Sequence, residues 1–172
     1  EIPGQLDLFS GGKVRSLHPL SVFEEALMLD EEGDNRVRVR DHYLRAVESG
    51  DFVADAYCNL GILESEEKNN IQAIDYFTKS LKEDPRHYEA HYNLANLYAE
   101  IGNLPLAKVH YQISITIEPE FPNSYFNLAL TLVMNKEMEE AIKALLTYRD
   151  LVSQDDRSQA EQLINNLTHS LR

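Results

Sequence analysis

Asn59-Leu60-Gly61 returns as Asn93-Leu94-Ala95 and again as Asn127-Leu128-Ala129, each time 34 residues further on. Ala73 returns at the same interval as Ala107 and Ala141, and Asp84-Pro85 returns as Glu118-Pro119. A fixed period of this length, in a chain without a catalytic motif, predicts an all-α fold: a solenoid of paired helices. Solenoids of this kind usually present a long groove to other proteins.

Working outward from these triplets, residues 54–87 read as one helix near 54–67, a turn at Asn69-Asn70, and a second helix to about Lys82. Residues 88–121 repeat the pattern with a turn at Gly102-Asn103, and residues 122–155 with a turn near Asn135-Lys136. Pro85 and Pro119 end the second helix of their pairs, because proline cannot continue the hydrogen-bond ladder. Upstream, residues 19–53 form a poorer unit. Ser21 and Glu24 fit a capping box for a helix to about Glu32. Gly33-Asp34 breaks that helix, and a second runs to about Glu48 before Ser49-Gly50. Residues 1–18 hold Pro3, Gly4, Gly11 and Gly12 without a helical period and read as an irregular arm. Its Leu6, Leu8 and Phe9 either dock on the first unit or belong to a loose tail. Residues 156–172 read as a final helix, with Ala160, Leu163, Ile164, Leu167 and Leu171 on one stripe, as a solenoid cap requires.

The chain of 172 residues is one domain's worth of sequence. Its formal charge of −13 and pI near 4.8 argue against nucleic acid and anionic membrane as partners, since both need basic surface. No apolar run reaches the roughly 18 residues of a membrane-spanning helix. No basic start followed by an apolar stretch marks a signal peptide. The sequence begins at Glu1 rather than Met, which leaves open a longer parent protein or a removed leader. Cys58 is the only cysteine, so no internal disulfide forms; this suits a reducing compartment, and the cytoplasm is the expected location.

These residues together resemble the tetratricopeptide repeat family over about 135 positions, in three good repeats and one degenerate one. The family's small positions are matched by Gly61, Ala95 and Ala129 on the first helix and by Ala73, Ala107 and Ala141 on the second. Close helix crossings need small residues there. Large positions are matched by Tyr57, His91 and Tyr125, by Leu60, Leu94 and Leu128, and by Phe77, Tyr111 and Leu145. Ser80 and Ser114 fill another small position, from which Tyr148 departs. Ser153 stands where the family places proline. In the first unit Ala26 and Gly33 fit, and Val39, Tyr43 and Ala46 fit after one inserted residue. The resemblance implies a right-handed α-solenoid with units of about 19–53, 54–87, 88–121 and 122–155.

It also implies that the first helix of each pair lines a concave face. Carried over by position, the groove residues are Phe23, Glu24 and Leu27, then Asp55, Cys58, Asn59, Ile62 and Glu66. They continue with Glu89, Tyr92, Asn93, Asn96 and Glu100, then Asn123, Phe126, Asn127, Leu130 and Met134. Asn59, Asn93 and Asn127 form a ladder. An asparagine amide donates and accepts, so such a ladder suits a clamp on a peptide backbone. The alternative is that the amides bond their own neighbours. Ile62, Tyr92, Phe126, Leu130 and Met134 supply an apolar floor, or are in part buried between units and under the cap. In family members that hold acidic chaperone tails, basic residues form the clamp; the corresponding positions here carry Cys58, Glu89 and Asn93. An acidic tail is therefore not the expected partner, and apolar or mildly basic segments are.

Other constellations carry less. His87 and His91 lie four apart, but His91 sits on a packing position and His87 in a turn, so a metal site is not expected. Arg36, Arg38, Arg40 and Arg45 read as a solvated face pairing with Glu32, Asp34 and Asp41 rather than a docking surface. Cys58 lacks a base or cationic neighbour that would make its thiol reactive. No nucleophile elbow, phosphate loop or dinucleotide fingerprint is present, so neither an enzyme nor a cofactor is expected. The reading is of a binding module whose partner is a protein or peptide, with self-association open. It takes one of three forms: an adaptor, with or without a DNA-binding domain ahead of the arm; a secretion-type chaperone for apolar segments; or an accessory domain of a larger enzyme. A start codon just before Glu1 would favour the second, and a catalytic domain beyond Arg172 the third.

Overall fold

A computed structural model describes residues 19–170 of the chain. The arm and Leu171 lie outside the described residues. Within them the elements are nine α-helices: α1 Val22–Glu31, α2 Arg36–Ser49, α3 Val53–Glu66, α4 Asn70–Glu83, α5 Tyr88–Glu100, α6 Leu104–Ile117, α7 Pro122–Met134, α8 Met138–Leu151 and α9 Gln154–Ser170. The helices pack as hairpins, α1/α2, α3/α4, α5/α6 and α7/α8, and each hairpin stacks on the next through its second helix. Helices α3, α5 and α7 also touch in series, forming one layer, and α9 covers α8. The fold is an all-α solenoid of the kind the 34-residue period predicts.

The boundaries have local causes. Ser21 caps α1 in a full capping box with Glu24. Asn35 and Asn103 cap α2 and α6 through their side chains. Asp84 and Glu118 close α4 and α6 immediately before Pro85 and Pro119. Pro105 and Pro122 sit in first turns, where the missing N–H costs nothing. Asn70, read from sequence as part of a turn, instead opens α4, and the cap helix starts at Gln154 rather than 156. The turn inside every hairpin contains one left-handed residue: Gly33, Lys68, Gly102 and Lys136, at φ between 63° and 82°. Residues 32–35 join α1 to α2, one more than the joins at 67–69, 101–103 and 135–137. That is the inserted residue of the first, degenerate hairpin.

The core is shared between hairpins. Ala26, Val39, Tyr43, Ala46, Leu60 and Leu63 fuse α1 and α2 to α3. Cys58, Ala73, Phe77, Ala90, Leu94 and Leu97 join α3 and α4 to α5. Ala95, Tyr111, Leu128, Leu145 and Leu167 carry the packing to α9, with Leu163 and Ile164 against its edge. Each hairpin thus buries its apolar face only against a neighbour. At the small serine positions, Ser80 Oγ donates to the Ala54 carbonyl at 2.7 Å, and Ser114 and Ser124 bond at 2.9 Å. Tyr148 replaces that serine in the last hairpin and packs its ring 5.0 Å from Phe126.

The arginine cluster is not only a solvated face. Arg38 pairs with Asp34 as expected, but Arg40 bonds Glu64 and Glu67, each at 2.9 Å, and Arg36 reaches Asp30 and Glu66. Neither Glu32 nor Asp41 supplies these contacts. Glu64 is buried, and Asn69 Nδ2 donates to its second oxygen at 2.8 Å. The cluster therefore ties α2 to the end of α3, a long-range role that local helix spacing does not reveal.

Candidate functional site: the α1, α3, α5 and α7 face

Helices α3, α5 and α7 carry the three asparagines at equivalent positions, and all three side chains are half-buried. Their amide nitrogens turn inward. Asn59 Nδ2 donates to Tyr43 Oη at 3.1 Å, and Tyr43 Oη in turn donates to Asp30 Oδ2 at 3.1 Å. Asn127 Nδ2 donates to Tyr92 Oη at 3.0 Å and to Asn96 Oδ1 at 2.9 Å. Tyr111 Oη donates to the same Asn96 oxygen at 2.6 Å. Asn93 Nδ2 has only the Cys58 sulfur, at 3.9 Å. Among the described residues no donor reaches Oδ1 of Asn59, Asn93 or Asn127. The two-sided clamp expected from sequence is thereby narrowed: the donors hold the ladder in place, and the acceptors remain.

The tyrosines that anchor the ladder explain this difference. Tyr43, Phe77 and Tyr111 occupy one position in successive second helices, each 16 residues before an asparagine of the ladder. Where that position holds tyrosine, its hydroxyl joins the asparagine network; where it holds Phe77, Asn93 is left with a weak sulfur acceptor. Burial first, then neighbouring charge or hydroxyl, pushes the phenols of Tyr43 and Tyr111 well above the ordinary tyrosine range, so both stay protonated donors. Sequence reading missed Tyr43 and Tyr111 as positioning groups, although the constant interval was there to be read.

The remaining candidates fall into two clefts and a wall. Asn59 and Cys58 line a cleft of about 240 Å³ with Phe23, Leu27, Asp55, His87 and Glu89. Leu130 and Asn127 line a second, of about 380 Å³, with Ala99, Glu100, Thr131 and Met134. Leu130 and Met134 are exposed there. Tyr92 and Asn96 lie between the clefts in the Asn127 network, with the Tyr92 ring edge-on to Phe121 at 5.1 Å. Ile62 is half-buried against the core of α3, α4 and α5. Phe126 is half-buried against the last core and Tyr148, so only part of the expected apolar floor is open.

Electrostatics separate the groove acids. Glu66 pairs with Arg36, and Glu100 pairs with Lys68 at 2.5 Å. Glu24 accepts from the Ser21 backbone N–H. Asp55 accepts from buried His87, whose Nδ1 accepts from the Ala90 N–H and so leaves Nε2 as the donor, at 3.3 Å. Burial, and then the charge of Glu89, pushes the Cys58 thiol up to about 12, so it stays protonated and unreactive. His87 and His91 do not share a ligand site: His91 bonds His110, Nδ1 to Nδ1 at 3.0 Å, and the Pro85 carbonyl. No cluster of three metal-ligating side chains occurs among the described residues.

The sequence model of the tetratricopeptide repeat family matches residues 65–113. The fold is similar to the crystal structure of MamA, with 18% identity, 89% of this chain and 86% of that chain covered, and a TM-score of 0.73. The chain has the tetratricopeptide repeat fold, and its residues 65–113 match that family's sequence model. Its repeats also resemble the first such domain of Spaghetti (RPAP3) bound to the HSP90 peptide SRMEEVD, with 18% identity, 69% and 92% covered, and a TM-score of 0.63. A further similar fold is the TPR2B domain in the pHsp70 complex of yeast Sti1, at 20% identity, 67% and 93% covered, and a TM-score of 0.59. At such identities these structures share the tetratricopeptide repeat fold, not a demonstrated partner. No curated protein matches the sequence. Among the described residues no helix is long and apolar enough to cross a membrane.

Proposed function

We propose that this tetratricopeptide repeat chain is a non-enzymatic protein–protein interaction module, an adaptor or scaffold, that holds a peptide segment of a partner across α1, α3, α5 and α7. Its units are taken as about residues 19–53, 54–87, 88–121 and 122–155, capped by α9. The observation that carries this reading is the row of carbonyl oxygens on Asn59, Asn93 and Asn127 that accept from no group among the described residues, with the Asn59 and Asn127 amides anchored to neighbouring side chains. A peptide backbone N–H is the natural donor for such a row, each bond contributing about 1 kcal/mol net. Leu130 and Met134 give apolar contact at one end, and Phe23 and Leu27 at the other. Ile62, Tyr92, Asn96 and Phe126 act on this reading mainly by shaping the surface.

Two similar folds are described with chaperone-derived partners, one the peptide SRMEEVD. Its acidic residues would meet Glu89 and Asp55 here rather than cations, so an acidic tail is not the proposed ligand. The test is to pan a randomised peptide library against the chain and titrate a selected peptide into nitrogen-labelled protein. The side-chain amide signals of Asn59, Asn93 and Asn127 should shift, and Asn93→Ala should weaken binding about fivefold. Shifts restricted to α4, α6 and α8, with Asn93→Ala binding unchanged, would refute the groove.

A further inference from the structure

Glu66 and Glu100 are neutralised by Arg36 and Lys68, and Glu24 is spent on a helix cap. Of the groove acids left without a lysine or arginine partner, Asp55 and Glu89 stand together on one cleft. Both line the cleft between α1, α3 and α5, and among the described residues neither has a lysine or arginine partner. Both also act on the Cys58 thiol, which places their charges around one spot. Asp55 is aimed by buried His87, which is itself locked as the cap of α5. Opposite stand Phe23 and Leu27, the first stacked on Phe52 at 5.3 Å. Asn59 lines the same space.

We propose that this cleft selects a peptide segment carrying a lysine or arginine beside an apolar side chain; the proposal rests on the peptide-binding reading above. The two carboxylates complement the cationic head. Phe23 and Leu27 accept its aliphatic stem and the apolar neighbour, and the Phe23 face also favours a cation. Asn59 Oδ1 accepts a backbone N–H of the same segment. The second cleft, with Leu130 and Met134, takes an apolar residue further along, so the basic residue fixes which way the peptide lies.

The experiment uses the full chain and a phage-displayed library of randomised peptides. Selected peptides should be enriched in Lys or Arg next to Leu, Ile, Val or Phe. The best of them, made as a labelled peptide, should bind Asp55→Asn/Glu89→Gln about tenfold more weakly than the parent chain. A charge-matched control, Glu139→Gln/Glu161→Gln, changes exposed residues elsewhere and should bind as the parent does. Should Asp55→Asn disturb the fold through His87, Glu89→Gln alone carries the test, because its loss removes no contact between helices. Selected peptides without basic enrichment, or equal weakening by both double variants, would overturn the cleft assignment while leaving peptide binding standing. A library that yields no binder of any composition would overturn both.

Discussion

The hairpins α3/α4 and α5/α6 share one frame and solve its closest helix crossing in different ways. In α3/α4 the crossing pairs Gly61 with Phe77; in α5/α6 it pairs Ala95 with Tyr111. A Cβ placed on Gly61 would lie 2.6 Å from the Phe77 ring, whereas the other hairpin accommodates alanine at the same point. A second equivalent pair differs too. Tyr57 and Tyr76 stack at 6.1 Å in α3/α4, where His91 and His110 stack at 5.2 Å in α5/α6. These differences lie behind the groove, yet they reach it. Tyr111 lends its hydroxyl to the asparagine network and Phe77 does not, so Asn93 is the least anchored member of the ladder. The polar face is tuned from the second layer of helices.

The largest effect expected from breaking this comparison is Gly61→Ala. The Phe77 ring is fully buried and cannot swing away, so the added methyl should destabilise the chain by about 2–3 kcal/mol. Urea unfolding followed by circular dichroism measures it. The converse change, Ala95→Gly, should cost about 1.5–2 kcal/mol, helix propensity and one lost buried methyl contributing about equally. A Gly61→Ala variant as stable as the parent would show that the two crossings have the same slack.

The histidine pair sharpens the contrast through pH. His91 Nε2–H donates to the Pro85 carbonyl, which leaves Nδ1 as the acceptor for His110 Nδ1–H. Burial lowers the affinity of both rings for a second proton; the Pro85 carbonyl offsets part of this at His91, while His87 opposes the charging of His91 and His91 that of His110. A folded-state pKa below the unfolded value of 6.5 means that the stabilising contribution is fully present above about 6.5. It is lost as pH falls from there through the lower folded value. The urea midpoint of the parent chain should therefore drop between pH 7 and about 5, ahead of most carboxylate titration. His91→Tyr/His110→Tyr, which copies the Tyr57/Tyr76 pair, should be flat over that window. An equally steep variant would assign the pH dependence elsewhere.

Phe77→Tyr tests the link from core to groove. If the hydroxyl follows the path of Tyr43, it reaches Asn93 as Tyr43 reaches Asn59, replacing a sulfur acceptor with an oxygen. The expected gain is about 1 kcal/mol, with the Asn93 side-chain amide protected more strongly in hydrogen exchange. A destabilised variant with an unprotected amide would show that the second hairpin has no room for the hydroxyl.

The repeat frame was legible because spacing alone carries it: the Asn-Leu-Gly/Ala triplets, the alanines and the Asp/Glu-Pro stops fix where helices begin, cross and end. Helix ends moved by only a residue or two, as with Gln154. The degenerate first hairpin was also legible, down to its extra turn residue. What remained hidden depends on contacts between positions far apart in sequence. Arg40 finds Glu64 rather than a neighbour on its own helix, because α2 packs beside the end of α3. Tyr43 and Tyr111 look like core residues by size and burial, and their hydroxyls matter only once Asn59 and Asn96 are seen within reach. Phe126 occupies a groove position by register, but Tyr148, the departure from the small-residue rule, claims one face of its ring.

The smallest expected effect concerns the turns, where the two hairpins differ again. Gly102 holds its left-handed conformation in α5/α6 without strain, while Lys68 in α3/α4 and Lys136 in α7/α8 adopt φ of 64° and 63° with a Cβ in place. A left-handed L-residue costs about 1 kcal/mol, and glycine removes that cost while adding a smaller entropic one. Lys136→Gly should therefore stabilise by about 0.5 kcal/mol, read as a higher urea midpoint with an unchanged slope. Lys68→Gly should gain less, because it also gives up the exposed pair with Glu100. Gly102→Lys should lose about 1 kcal/mol, and since no atom lies within 4 Å of the added Cβ, the loss would be backbone strain alone. If Lys136→Gly and Gly102→Lys shift stability in the same direction, the turn residue is not what separates these hairpins, and the difference returns to Gly61 and Ala95.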